Sequence, residues 1–372
     1  MSPPPRLAWG WLLLWATIGT LGAVAAVGYD LSRSIEINGT LVDTASFDPG
    51  ASIIGAELGP DALATGGRHD GASYYVIARD PFDLAGASTA LDAPRYRLQR
   101  IGFPLAVWAL HPVGGGPGLM WTMFAVGVAG LFGGALAVGA LSMTWRGPAW
   151  IALVFPLLFG SIISLRISVA DPLALALTIG ALVLFERSRA GDDRPAWRDP
   201  RYGAAVALAV AATLTKEPSW LVLLGFVLAE RSRRSVALVA VPALVAGAWF
   251  VVLASTVPAG TNVDAFAWPF AALPETWALW TSRDEPLAPV NVLAAVLVGA
   301  LALSRRGLRH PLSYALVLQL AALTVVSTSV LVPERSATRQ VLPLFVVGAL
   351  MLVTPRASER SPVAPLAEAG AM

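Results

Sequence analysis

The sequence predicts an all-α membrane protein of about ten transmembrane helices, with a long first outer loop that carries a surface helix. Three observations predict it. Of 372 residues, 56% are hydrophobic and only 13% charged, against roughly a quarter charged in an ordinary soluble domain. The apolar residues fall in runs of about 17 to 25, the length that carries an α-helix across a hydrocarbon core about 30 Å thick. Arginine recurs in alternate connections between these runs, as it does in loops that stay inside.

In order, the apolar runs predict helices near residues 7–28, 118–143, 149–168, 171–186, 202–216, 219–229, 235–256, 288–303, 311–331 and 341–354. The first run follows Arg6 and reads as a retained helix, because no small-residue cleavage pattern stands before Tyr29. With the N-terminus inside, every inner connection carries arginine: Arg146; Arg187, Arg189, Arg194, Arg198 and Arg201; Arg231, Arg233 and Arg234; Arg305, Arg306 and Arg309. The domain reading is therefore a polytopic membrane domain over 1–356, with a disordered cytoplasmic tail at 357–372.

The outer side holds two long connections. Residues 28–100 form the first, far longer than the usual 4 to 6 or so residues, and long structured loops tend to carry function. Around Asn38-Gly39 the chain alternates as in a small hairpin, and Asn38-Gly39-Thr40 fits the glycosylation sequon, a pattern common by chance. Asp70 to Ala78 reads as a short amphipathic helix on the membrane surface, capped by Asp70 and stopped before Pro81. Ile101 to Leu110 is too short to span and reads as a half-helix, broken from the next span by Gly114-Gly115-Gly116-Pro117. The second outer loop, 257–287, contains Trp268, Trp277 and Trp280, which suits an interfacial belt. No internal repeat is visible.

Several chemistries are excluded. There is no cysteine, hence no disulfide and no thiolate. A net charge of +2 does not call for nucleic acid. The three histidines, His69, His111 and His310, lack metal-ligand spacing, and there is no Gly-x-Ser-x-Gly elbow or Walker loop.

What remains is a set of ionisable residues on the outer side: Asp30, Asp70, Asp80, Arg95, Arg97, Arg100, Arg166, Asp171, Lys216, Glu217, Arg335 and Arg339. Charge in hydrocarbon costs on the order of 3 kcal/mol even on lenient scales, so charges at several helix ends predict a shared polar cavity. Arg97 and Arg100 lie three apart, and Arg335 and Arg339 four apart, so each pair shares a helical face. Guanidinium pairs of this kind suit the oxygens of a lipid phosphate or pyrophosphate. Lys216-Glu217-Pro218 closes a helical hairpin and reads either as a third cation or as a self-paired turn. Asp70, near Tyr74, Tyr75 and Phe82, is the candidate general base over a cavity with cationic walls, or else only a helix cap.

The text His69-Asp70-Gly71-Ala72-Ser73-Tyr74-Tyr75-Val76-Ile77-Ala78, followed by Tyr96-Arg97-Leu98-Gln99-Arg100-Ile101-Gly102-Phe103-Pro104, resembles the first outer loop of bacterial glycosyltransferases of the C-type membrane superfamily. Ala170-Asp171-Pro172-Leu173, Leu214-Thr215-Lys216-Glu217 and Arg335 to Arg339 leading into Leu342-Pro343-Leu344 are similar to later segments. The resemblance implies a multi-helix fold in the plasma membrane with an outward-facing site. It implies a sugar donor carried on a polyprenyl phosphate, Asp70 as the catalytic aspartate, and Tyr74, Arg97, Arg100, Asp171, Lys216, Glu217, Arg335 and Arg339 as substrate-binding residues. Many members have an acidic pair where this chain has Asp70-Gly71, so a second carboxylate would come from Asp30, Asp80 or Asp171. No cofactor is expected, and a divalent metal stays open. The acceptor, a glycan, lipid or protein, is not specified. The competing readings are a non-enzymatic binder or transporter of lipid-linked sugar and a structural membrane subunit. Transporters place polar residues near the bilayer midplane between inverted repeats, whereas these charges sit at helix ends.

Overall fold

Helices form where the apolar runs predict them. The structure, a computed structural model, describes residues 5–34, 49–58, 70–112, 114–189, 198–258, 265–282 and 286–355. The expected hairpin around Asn38-Gly39, the sequon and the tail at 357–372 lie outside these residues. Helix α1 (Pro5–Ser34) is followed by α2 (Pro49–Leu58), α3 (Asp70–Arg79), α4 (Leu84–Thr89), α5 (Pro94–Leu98), α6 (Gly102–Leu110) and α7 (Pro117–Thr144). A 3-10 turn (Ala149–Leu153) leads into α8 (Val154–Leu157) and α9 (Phe159–Arg166), then α10 (Asp171–Arg189), α11 (Pro200–Thr215), α12 (Ser219–Glu230) and α13 (Ala237–Thr256). The chain closes with α14 (Leu273–Ser282), α15 (Leu287–Arg306), α16 (Ser313–Thr324), α17 (Thr328–Leu331), α18 (Glu334–Gln340) and α19 (Leu342–Val353). Among the described residues there is no strand, only an isolated bridge between Phe266 and Val326.

Five of these segments are long and apolar enough to cross a membrane: Ala8–Gly28, Pro117–Thr144, Ala237–Thr256, Leu287–Arg309 and Glu334–Val353. A sixth exists if the pair Ala149–Leu157 and Phe159–Arg166, bent by 53°, is one broken span. The bend falls at Leu158, whose backbone is extended, two residues after Pro156. The runs expected at 219–229 and 311–331 yield helices of 12 residues each. At a rise of about 1.5 Å per residue these reach about 18 Å, short of the hydrocarbon thickness. Outward faces of α13 and α15 leave Leu244, Val251 and Leu297 exposed, as suits hydrocarbon rather than water.

Helix α10 packs between α7 and α11, while α12 lies against α16 and α15 against α19. Two glycines set the approach of the elements that carry charge. A Cβ at Gly102 would collide with Thr215, so the start of α6 can press on the end of α11. A Cβ at Gly160 would collide with the carbonyl of Thr338, which lets α9 sit against α18.

Helix α3 differs from its expectation. Gly71 to Ala78 are all buried, in an apolar cluster with Phe103 and Val107 of α6 and Met120 and Met123 of α7. It is a buried internal helix rather than an amphipathic surface helix. Its two tyrosines are satisfied separately: Tyr74 packs on the Phe103 ring at 5.4 Å, and Tyr75 donates to Glu57 Oε2 at 2.6 Å and accepts from the Gly116 amide. In the second outer loop Trp268 and Trp277 are exposed, but Trp280 is tied to the Leu331 carbonyl at 3.0 Å.

Candidate functional site

The site grows from the first residue of α3. The Asp70 carboxylate pairs with Arg97, and it lies 3.3 Å from Arg339 Nη1 and 3.9 Å from Arg100 Nη1. These arginines come from α5, the turn after it, and α18, so residues 27 to 269 positions apart in sequence meet at one carboxylate. Helix α5 places Arg97, and the turn into α6 carries Arg100 toward the end of α11, where Gly102 permits contact. Helix α18 turns Arg339 inward, its Nε held on the Arg335 carbonyl at 2.9 Å.

From Arg339 the chain of pairs continues inward. The same Nη1 reaches Asp171 Oδ2 at 3.5 Å, at the first residue of α10, and Asp171 also pairs with Lys216. On the other side Arg97 makes a bidentate contact with Asp92, Nε to Oδ1 at 3.0 Å and Nη2 to Oδ2 at 2.9 Å. Arg100 Nε contacts both oxygens of Glu217, at 2.9 and 3.0 Å, and its Nη2 donates to Tyr96 Oη at 2.6 Å. The Arg100 guanidinium also lies 4.4 Å over the Tyr96 ring. Gln99 Nε2 donates to Glu217 Oε1 at 2.6 Å.

Within this chain of contacts four cations, Arg97, Arg100, Lys216 and Arg339, face four carboxylates, Asp70, Asp92, Asp171 and Glu217. The expected cationic wall is thus a charge-balanced network. Burying an unpaired ion costs several kcal/mol even after relaxation, so buried arginines are held against carboxylates. Burial alone raises the Asp70 carboxyl, but the fields of Arg339, Arg97, Arg100 and Lys216 outweigh it and hold the group well below the usual carboxylate range.

Most of the candidates read from the sequence converge: Asp70, Arg97, Arg100, Asp171, Lys216, Glu217 and Arg339 belong to one network. Lys216 and Glu217 are not a self-paired turn, since each takes a partner from another segment. Tyr74 packs its ring on Phe103 and is buried within the fields of Arg100, Asp70, Asp171 and Glu217, so it flanks the network. Arg335 contributes its backbone carbonyl to Arg339. Arg95 is drawn elsewhere, capping the end of α13 through the carbonyls of Ala254 and Val257. Asp80 accepts from the Phe82 and Asp83 amides, while its neighbour Arg79 pairs with Glu57 rather than with Asp80. Asp92, Tyr96 and Gln99 were missed. The spacing of Tyr96 to Arg100, four residues along a helical stretch, carried a signal for one of them.

A cavity of about 650 Å³ adjoins the network. Tyr96, Gln99, Arg100 and Glu217 supply a polar portion of its lining, and Trp220, Leu221, Phe266, Leu318, Ala322 and Val326 contribute to the apolar remainder. Arg100 and Glu217 therefore belong both to the cavity and to the ion-pair network. Among the described residues no group of three or more His, Asp or Glu gathers in a way that could hold a metal ion. The chain matches no protein-family model, and no curated protein or solved structure matches it.

Proposed function

We propose that this protein is a membrane glycosyltransferase that moves a sugar from a polyprenyl-phosphate donor to an acceptor at the outer face. The observation that carries the reading is the junction at Arg100, which lines an apolar cavity and also stands 3.9 Å from Asp70, the carboxylate that three guanidinium groups surround. An anionic head on a hydrocarbon tail fits such a junction, the tail in the cavity and the phosphate on the cations. In this reading the chain crosses a bacterial plasma membrane about ten times, the shorter helices crossing in pairs or at a tilt, with the arginine-rich connections inside.

The acceptor hydroxyl attacks the anomeric carbon as its proton passes to Asp70. The bond from that carbon to the phosphate oxygen breaks, and the departing phosphate keeps its electron pair on the arginines. In the resting site Asp70 is too strongly held by its cations to be an effective base. A bound phosphate shares those cations, weakens their hold, and returns basicity to Asp70 when the donor is in place.

The test is Asp70→Asn. Asn keeps the size of the side chain and removes its basicity, so initial transfer should fall by about 10² to 10⁴ while a separate assay still detects donor binding. Transfer at the wild-type rate would remove the base from this position. The second reading, a non-enzymatic binder of lipid-linked sugar, is favoured by the saturation of the cations, which suits retention as well as catalysis. It predicts binding with no transfer to any glycan, lipid or protein acceptor by the wild type.

A further inference from the structure

Glu217 holds Arg100 through one nitrogen, Nε shared between both carboxylate oxygens, while Nη2 goes to Tyr96, so the anion now on this guanidinium occupies a site that could take the oxygens of a phosphate instead. Of the four carboxylates in the network it is the most exposed, with 40% of its side chain accessible, against 26% for Asp92, 21% for Asp70 and 6% for Asp171. Among these four it alone lines the apolar cavity. It sits on the short turn between α11 and α12, so swinging its side chain away breaks the contacts with Arg100 and Gln99 but disturbs no helix. Asp70, Asp92 and Asp171, by contrast, are held by arginines or lysine in less accessible surroundings.

We infer that Glu217 is a resident stand-in for the phosphate, and that the anionic head of an amphiphile binds by displacing it from Arg100. The inference rests on the proposed function and names the seat of the head group within it. Arg97 is committed to Asp92 and Asp70, and Lys216 to Asp171, so Arg100 offers the exchange that breaks the fewest buried contacts. The exchange also keeps the charge balance, because one carboxylate leaves the guanidinium as one phosphodiester arrives. Tyr96 and the cavity wall stay in place to receive the rest of the ligand.

The prediction runs against the usual result of altering a binding site, since removing Glu217 strengthens binding. Binding of farnesyl phosphate, inorganic phosphate and farnesol is measured on the full-length protein in detergent, for wild type, Glu217→Gln and Glu217→Ala. Both variants should bind farnesyl phosphate about three- to tenfold tighter, as expected when a partly exposed ion pair no longer has to be broken. Inorganic phosphate should gain by a similar factor from a much weaker starting affinity, and farnesol should not change. In the double variant Glu217→Gln with Arg100→Ala the gain should vanish. Unchanged or weaker binding in both Glu217 variants overturns the displacement while leaving the proposed function intact, provided wild type prefers farnesyl phosphate to farnesol. A gain that survives loss of Arg100 also overturns it, because the effect would then be general charge. If Glu217→Gln does not fold, Glu217→Ala decides alone. Wild type with no preference for farnesyl phosphate over farnesol overturns the inference and the proposed function together.

Discussion

Helix α10 carries an ion-pair system at each end. At its first residue Asp171 joins Lys216 and Arg339, all with 6 to 11% of their side chains accessible. At its last, Arg189 pairs with Glu230 at 2.7 Å and with Glu186 at 3.6 Å, and 42% of the arginine is accessible. The first end sets one carboxylate against two cations and the second one cation against two carboxylates, on the same helix with about 27 Å between them. In the second system the glutamates are 12% and 15% accessible but the arginine they share is open to solvent, one of its pairs lies within a helical turn, and pairs with an exposed partner contribute little. The first gathers residues from separate segments and excludes water, at a desolvation cost that packing alone does not justify. A fold that needed only stability could have filled that end of α10 with apolar side chains. Retaining a buried network there is the mark of a site.

The comparison breaks most readily at Arg339 and Arg189. Arg339→Ala leaves the Asp70 and Asp171 carboxylates facing each other without the guanidinium between them. Removing one partner of a buried pair costs about 3 to 5 kcal/mol. Arg189→Ala removes a largely exposed partner and should cost less than about 1 kcal/mol. Thermal unfolding of the two variants in the same detergent measures both. Equal losses would mean that the two ends of α10 are energetically alike and that the buried network has no special standing.

The helical plan was legible because hydrophobic runs and arginine-bearing connections are local properties of the text. The bend at Leu158 was less so, since the apolar character continues through Pro156 and only the backbone turns. The cations of the site were legible for the same reason, as pairs at helical spacing. Their neutralisation was not. Asp171 lies 45 positions from Lys216, Glu217 117 from Arg100, and Asp70 269 from Arg339, so no spacing rule connects them. Asp92 lies only five residues from Arg97, yet it precedes α5 and falls outside the three- and four-residue rule that pairs side chains within a helix. The burial of α3 was hidden by its short length and by Asp70 at its start, which reads as a cap when the arginines around it are not in view.

Acid titration sharpens the same contrast. The folded-state titration of Asp70 is depressed by its cations, so its ionised form stabilises the fold at any pH above the unfolded value of about 3.9, and that contribution fades as pH falls below it. Asn at this position does not titrate. The stability difference between wild type and Asp70→Asn should therefore stay constant from about pH 8 down to about pH 5 and shrink only below about pH 4. Unfolding midpoints at a series of pH values measure it. A difference that stays flat down to about pH 3 would place the folded carboxyl in its ordinary range, and one that shifts in favour of wild type as pH falls from about 7 to 5 would place it above; either would dissolve the ring of cations drawn around it.

The smallest expected effect belongs to the carboxylate at the far end of α3. Asp80 follows the helix that Asp70 begins, and both are aspartates of the segment between α1 and α7 beside aromatic residues. Asp80 is exposed, and Oδ1 accepts from the Phe82 amide at 3.1 Å and the Asp83 amide at 3.2 Å. These contacts shape a turn, and an asparagine oxygen can accept the same two amides without a charge. Asp80→Asn should shift stability by no more than about 0.5 kcal/mol, the range of surface substitutions. Transfer should remain within about twofold of wild type, since that much corresponds to only about 0.4 kcal/mol of barrier. Asp70→Asn, with the same change of atoms, forfeits the charge on which three arginines converge. Initial rates of the two variants at matched protein levels decide the matter. A large loss in Asp80→Asn would move the catalytic carboxylate to the other end of α3, where the cavity lined by Arg79, Asp80 and Asp83 would become the place to look for the acceptor.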